Sequence, residues 1–254
     1  MTGMSDLRGK RAIITGGARG IGFACASALA GEGAAIVLVD IHQDELDEAV
    51  KKMKAYGVKV DSFLCDVSSL DSVELLYQYL KASGGIDIFI HSAAVTIRKL
   101  LLEMSVEEWD WVINTNLRGA FLLGRKVGAL LKEQGRGGKM IYIVSTGAFR
   151  ASEMYGSYGA SKAGVVMLMK TLALELAPFG ITCNAIAPTA TDTKFTSDFY
   201  AQNPEKKVAV IKNHPLGRIA VPEDYMGTAL YLASSASDFV TGSLIVVDGG
   251  KTAK

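Results

Sequence analysis

Tyr158 and Lys162 stand four residues apart in the stretch Tyr158-Gly159-Ala160-Ser161-Lys162. On a helix such a pair shares one face, about 6 Å apart along the axis. A free phenol, with a pKa near 10, is a poor base at neutral pH. A neighbouring ammonium favours the phenolate and lowers that value. The phenol then takes a proton from a reacting hydroxyl, or returns one to an alkoxide. Ser145 lies 13 residues before Tyr158, at the end of an apolar run, and reads either as a hydrogen-bond partner for the reacting oxygen or as a turn or cap serine. Asn116 sits inside a long helical pattern although Asn is a poor helix former. A bend holding water, a contact to Lys162 or simple solvation would each explain it.

The second chemical signal lies near the N-terminus, in Thr15-Gly16-Gly17-Ala18-Arg19-Gly20-Ile21-Gly22. Glycines between a strand and a helix allow a tight turn, or a close approach of backbone to a pyrophosphate at the helix N-terminus. Asp40 ends the next strand, 20 residues after Gly20. It reads as an acceptor for adenosine ribose hydroxyls or as a helix N-cap. As a ribose acceptor it repels a 2′-phosphate and favours NAD over NADP, whereas Arg19 pulls the other way. Asp66, before Val67, reads as an adenine acceptor or as a loop-turn residue.

The elements that must position these groups alternate. Strands are expected at Arg11–Thr15, Ala35–Asp40, Val58–Cys65, Ile86–His91, Lys139–Ser145, Ile181–Ala187 and Ser243–Val247. Helices are expected at Gly20–Glu32, Gln43–Tyr56, Asp71–Ser83, Ser105–Gln134, Ser157–Pro178 and Pro222–Ser234. Gly119, Gly124 and Gly128 in the long fourth helix imply close packing or a bend. The strands are continuous apolar runs, which implies a parallel sheet buried on both faces. The expectation is a three-layer, doubly wound α/β Rossmann fold with seven parallel strands. No linker, repeat or composition shift divides residues 1–254, read as a single dinucleotide-binding domain. Residues of about 193–216 have weak periodicity and read as a substrate lid.

Composition narrows the classes. Lys and Arg total 27 against 26 Asp and Glu, a net charge of +1, so no field selects nucleic acid or an anionic membrane. No apolar run approaches the ~20 residues of a membrane helix, and no signal peptide is expected. Three scattered cysteines (Cys25, Cys65, Cys183) and three histidines (His42, His91, His214) give no metal spacing. No metal is expected, and a reduced, cytoplasmic setting is.

Together these residues resemble the short-chain dehydrogenase/reductase family from Thr15 to Gly250. The resemblance rests on the glycine loop, Asp66-Val67, Asn116-Leu117, Ser145, Tyr158 with Lys162, Asn184 with Pro188, and Asp248-Gly249-Gly250. It implies that Tyr158 is the acid/base, Lys162 also binds nicotinamide ribose, Ser145 orients substrate and Asn116 holds a relay water. It implies a cofactor site of Gly16, Arg19, Gly20, Ile21, Gly22, Asp40, Ile41, Asp66, Val67, His91, Ala93, Tyr158, Lys162, Pro188, Thr191 and Thr193, and a homotetramer built on the long helices and last strand. Two departures stand out. His91-Ser92-Ala93-Ala94 replaces the usual Asn-Asn-Ala-Gly, and Pro188-Thr189 the usual Pro-Gly.

For substrate, the polar candidates are Arg98, Arg150, Glu153 and His214. An arginine fork suits a carboxylate or several hydroxyls. Phe195, Phe199 and Tyr200 suit a bulkier apolar ketone equally well. The stretches Arg98-Lys99-Leu100, Glu103-Met104 and Ser237–Gly242 are similar to sugar-acid dehydrogenases such as gluconate 5-dehydrogenases. The expected reaction is hydride transfer between NAD(H) and a secondary alcohol or its ketone, a polyol or sugar acid. An NADPH-dependent 3-oxoacyl-thioester reductase is the alternative. A serine hydrolase fails because Gly159-Ala160-Ser161-Lys162-Ala163 lacks the last glycine of a nucleophile elbow. A non-catalytic NAD-binding protein would not need both Tyr158 and Lys162.

Overall fold

The computed structural model describes residues 5–253, without the side chains of Phe195 and Asp198. Seven strands form one wholly parallel sheet: β1 (Arg11–Thr15), β2 (Ala35–Asp40), β3 (Val60–Leu64), β4 (Ile88–His91), β5 (Gly138–Ile143), β6 (Ile181–Pro188) and β7 (Leu244–Val247). Their spatial order is β3-β2-β1-β4-β5-β6-β7. The order reverses between β1 and β4, and a parallel sheet opens its ligand crevice at that switch point, beyond the carboxyl ends of the strands. β1 and β4 are in register there, Thr15 opposite His91.

Helices cover both faces. They are α1 (Gly20–Gly31), α2 (Gln43–Met53), α3 (Leu70–Ala82), α4 (Val106–Ile113), α5 (Gly119–Gln134), α6 (Gly156–Leu176), α7 (Lys194–Gln202), α8 (Pro204–Lys212) and α9 (Met226–Ala233). One apolar layer joins Ile13, Val37, Phe89 and Tyr142 of the sheet to Leu76, Val127 and Met169 of α3, α5 and α6. The other joins Ile14, Leu38 and Ile141 to Leu29, Leu46 and Leu232 of α1, α2 and α9. Apolar strands with both faces covered are what the continuous hydrophobic runs demand.

The long helix expected over Ser105–Gln134 is interrupted. Residues Asn114–Arg118 form a π-helical turn between α4 and α5. Asn116 is its buried centre, and its side-chain amide bonds outside the helix. Such a widened turn re-aims a side chain, commonly at functional sites. The three glycines serve close packing. An added Cβ would meet Val67 at 3.1 Å from Gly119, Tyr142 Oη at 2.6 Å from Gly124 and Leu176 at 3.1 Å from Gly128. The weakly periodic stretch resolves into α7 and α8. Pro204 opens α8, where a missing N–H costs no helix bond.

His91 at the end of β4 is buried, with Nδ1 2.8 Å from Thr15 Oγ1. Its Nε2 is buried without a partner among the described residues. Burial first, and then the Lys162 charge, hold its pKa down to about 3. The folded protein therefore keeps His91 neutral, while the unfolded chain takes a proton below about 6.5. Stability contributed this way is present above pH 6.5 and is lost as pH falls toward 3. His91→Asn should flatten that fall. Urea midpoints at pH 7 and pH 4.5 check it: the parent should lose more between the two than the variant, and equal losses would contradict the assignment.

Candidate active site

A cleft of about 1110 Å³ runs across the carboxyl ends of the strands. Its floor begins at the glycine loop. Gly16 and Gly20 adopt φ of +63° and +57°, a region that side chains with a Cβ disfavour. A Cβ on Gly16 would stand 2.7 Å from Ala93 N, and one on Gly22 would stand 2.1 Å from Gly16 O. The loop is thus pressed onto the segment after β4, and among the described residues no side chain caps the start of α1. A helix N-terminus left open beside bare backbone fits a phosphate group. The donor set and this cradle therefore fit a dinucleotide.

Asp40 closes β2. Its Oδ2 accepts the Ala18 N–H at 3.3 Å and its Oδ1 the Ile41 N–H at 2.8 Å. It therefore ties the glycine loop to β2, and His42 rather than Asp40 is the N-cap of α2. The Asp66 carboxylate accepts from the backbone and hydroxyl of Ser68, at 2.8 and 2.7 Å, so the loop-turn role is filled while Asp66 still lines the cleft. Arg19 Nη1 pairs with Glu45 Oε1, at 2.6 Å.

At the other end, Ser145, Tyr158 and Lys162 meet at the cleft. Ser145 follows β5, and its Oγ accepts the Gly147 N–H at 3.0 Å. Tyr158 and Lys162 share one face of α6, with Lys162 Nζ 5.6 Å from the Tyr158 ring centroid. Lys162 is buried and donates to the Ile143 carbonyl at 2.9 Å. Burial brings its pKa down to about 8. The Tyr158 phenol is pushed up to about 12 by burial, which outweighs the hydrogen bond from Ser145. This differs from the expected depression: the ammonium faces the Ile143 carbonyl, and loss of solvent is the larger effect. In the protein alone the phenol holds its proton.

Asn116 stands behind this group and does not line the cleft. Its Oδ1 accepts the Val95 N–H at 2.8 Å, and its Nδ2 donates to Val95 O at 2.9 Å and Ser161 Oγ at 3.0 Å. Ser161 in turn donates to Tyr158 O. Asn116 thus fastens the loop after β4 to the turn of α6 that carries Tyr158, and the expected contact to Lys162 is not made.

The remaining expected residues divide. Ile21, Ile41, Val67, Ala93, Pro188, Thr191 and Thr193 line the cleft, whereas Gly22 and His91 lie beneath it. Arg98 and Arg150 line it, and Glu153 is exposed outside it. His214 is buried in a structural role, bonding Thr189 Oγ1 at 2.8 Å and the Val210 carbonyl at 2.6 Å. Phe195 is among the side chains not described. Cys25, Cys65 and Cys183 are buried and unbridged, and burial lifts the Cys25 and Cys183 thiols to about 12. Tyr200, read as a wall for a bulkier ketone, lines the cleft, and so do Tyr155, Lys194 and Lys251, which the sequence did not single out as individual site residues. Next to Tyr155, Met154 is held at φ +65° and its carbonyl accepts the Lys99 N–H. A positive φ on a residue with a long side chain marks a strained loop, and here it draws Arg98 against Tyr155.

Comparison with known proteins agrees with this geometry. A family profile described as enoyl-(acyl carrier protein) reductase matches residues 16–252. The chain is 37% identical over 246 residues to the 3-oxoacyl-(acyl carrier protein) reductase of Thermotoga maritima, covering 96% of this chain and 98% of that one. It is 36% identical over 250 residues to the 2-dehydro-3-deoxy-D-gluconate 5-dehydrogenase of Dickeya dadantii, covering 98% of both. A gluconate 5-dehydrogenase from Burkholderia cenocepacia, solved in complex with NADP and tartrate, superposes with a TM-score of 0.94 at 31% identity over 100% of this chain and 99% of the other. The cradle for a dinucleotide, the Tyr158–Lys162 face and these likenesses lead to one conclusion: the chain belongs to the short-chain dehydrogenase/reductase family, NAD(P)-dependent oxidoreductases acting on CH–OH groups.

Proposed function

We propose that the protein is an NAD-linked dehydrogenase of a hydroxylated carboxylic acid, a sugar acid in the first instance. The observation that carries the reading is the cationic wall of the cleft. The Arg98 guanidinium stacks 3.9 Å from the Phe199 ring centroid and 5.5 Å from that of Tyr155. It has no carboxylate partner among the described residues. Arg150 and Lys251 line the same cleft, with Arg150 donating to the Lys251 carbonyl at 2.9 Å. A stacked, pre-organised guanidinium without an acid partner suits a substrate carboxylate. The Dickeya relative is named for a sugar acid. The Burkholderia structure holds NADP, so the NAD preference rests on this chain's own Asp40.

The bound nicotinamide supplies a hydride acceptor or donor. Everything else falls to the chain. Tyr158 exchanges the proton at the reacting oxygen, and Ser145 holds that oxygen beside it. A phenol protonated up to about pH 12 is ready to donate in the reducing direction. For oxidation it must be lowered, and positive charge near Lys162 is the available means. Asn116 positions the Tyr158 turn. Lys162, Thr191 and Thr193 hold the nicotinamide end, and Gly16, Gly20 and Asp40 the other. Residues 193–216 act as the lid, within a single domain.

The chain assembles as a homotetramer in this reading. Phe121 of α5 and Met167 and Leu174 of α6 are exposed apolar side chains on helices otherwise packed to the sheet, and Val246 is exposed on edge strand β7. Sedimentation at micromolar concentration should give four times the chain mass, and a persistent monomer would contradict it.

A panel of sugar acids, polyols and 3-oxoacyl thioesters, assayed with each cofactor, tests the substrate. Sugar-acid turnover with NAD is expected, and Arg98→Met should raise its KM by about tenfold or more. Turnover confined to acyl thioesters with NADPH would establish the reductase alternative. Tyr158→Phe should remove turnover by several orders of magnitude while leaving the NADH Kd within about twofold. Loss of NADH binding with activity retained would defeat its role.

A further inference from the structure

Glu45 lies in the first turn of α2 and does not itself line the cleft. One of its oxygens, Oε1, accepts two charges. Arg19 Nη1 reaches it at 2.6 Å from the glycine loop, and Lys194 Nζ at 3.0 Å from the start of α7. Its other oxygen, Oε2, is buried with no hydrogen-bond partner among the described residues. Burial alone would raise the Glu45 pKa, but Lys194 and then Arg19 hold it below the ordinary carboxylate range. The carboxylate is therefore ionised at neutral pH. Ligand atoms of Asp40, His42 and Glu45 lie within 4.8 Å of one another, so the second carboxylate stands at the corner where Asp40 would meet the ribose.

Arg19 and Lys194 both line the cleft. They are cations that a 2′-phosphate on that ribose would recruit, by charge-assisted bonds that a 2′-hydroxyl does not need. We propose that Glu45 determines cofactor selectivity by engaging Arg19 and Lys194 on one carboxylate oxygen and so withholding both from the 2′-phosphate of NADP. The inference rests on the NAD reading above and assigns its enforcement to a residue outside the glycine loop and outside β2. Asp40 repels the phosphate directly. Glu45 acts one layer behind, by occupying the donors and adding a second negative charge. The same carboxylate ties the first residue of α7 to α2, so the outer edge of the lid is anchored at the cofactor corner.

Glu45→Gln keeps the shape and removes the charge. The readout is the Kd of NADH and of NADPH, each followed by nucleotide fluorescence without substrate, with thermal unfolding to show that each variant is folded. E45Q should tighten NADPH by about tenfold, the value of one or two recovered charge-assisted bonds. NADH should change by no more than about twofold. The gain should vanish in the R19M/E45Q/K194M protein, which lacks the cations. An NADPH Kd unmoved in E45Q, an equal shift for both nucleotides, or a gain that survives in the triple variant would each overturn the proposal. The parent protein separates the two readings: tighter NADPH than NADH there contradicts the NAD preference whatever E45Q does.

Discussion

A buried ammonium with one carbonyl to hold it organises the cleft. Lys162 lies between β5 and α6, donating to Ile143 O. Removing a cation from water is costly, and burial carries its pKa down to about 8. The charge dictates what its neighbours can be. His91 must stay neutral, because burial and Lys162 both oppose its protonation. Tyr158 must sit on the same helix face to feel any of the positive charge. Asn116 must be pulled out of a regular helix to brace that face. A widened turn in α4–α5 and an unfavourable lysine are thus two parts of one arrangement.

At the opposite end the constraint is space rather than charge. Gly16, Gly22 and Ala93 approach so closely that no larger residue fits at the two glycines. The approach leaves the start of α1 bare, and Asp40 secures the loop from β2. The cleft joins these two ends because β1 and β4 are neighbours in the sheet while being distant in sequence. A dinucleotide needs that distance: one end reads charge at the ribose, the other manages a proton.

Much of this was legible in the sequence. Apolar strands alternating with amphipathic helices specify a parallel sheet, and the spacing of Gly16, Asp40, Ser145, Tyr158 and Lys162 places them at its carboxyl edge. Long-range pairing was not legible. Nothing in the spacing of Glu45 links it to Arg19 and to Lys194, 149 residues away. The interruption of Ser105–Gln134 was only half legible: Asn116, a poor helix former, suggested a bend, but not that a π turn at Asn114–Arg118 would aim it at Val95 and Ser161. His214 read as a substrate candidate because it is polar and lies in the lid, yet burial gives it Thr189 and Val210 as partners. The direction of the Tyr158 shift was missed for the same reason. Sequence shows the nearby lysine but not the loss of solvent.

That phenol carries the proton of the reaction. Ultraviolet titration of phenolate absorbance, taken as the difference between the parent protein and Tyr158→Phe, follows Tyr158 alone, first without and then with saturating NAD. Without nucleotide the difference should show ionisation only near about 12, and with NAD the step should move to markedly lower pH. Ionisation below pH 10 in the free protein, or a step that NAD leaves in place, would contradict the claim that burial holds the proton and added positive charge releases it.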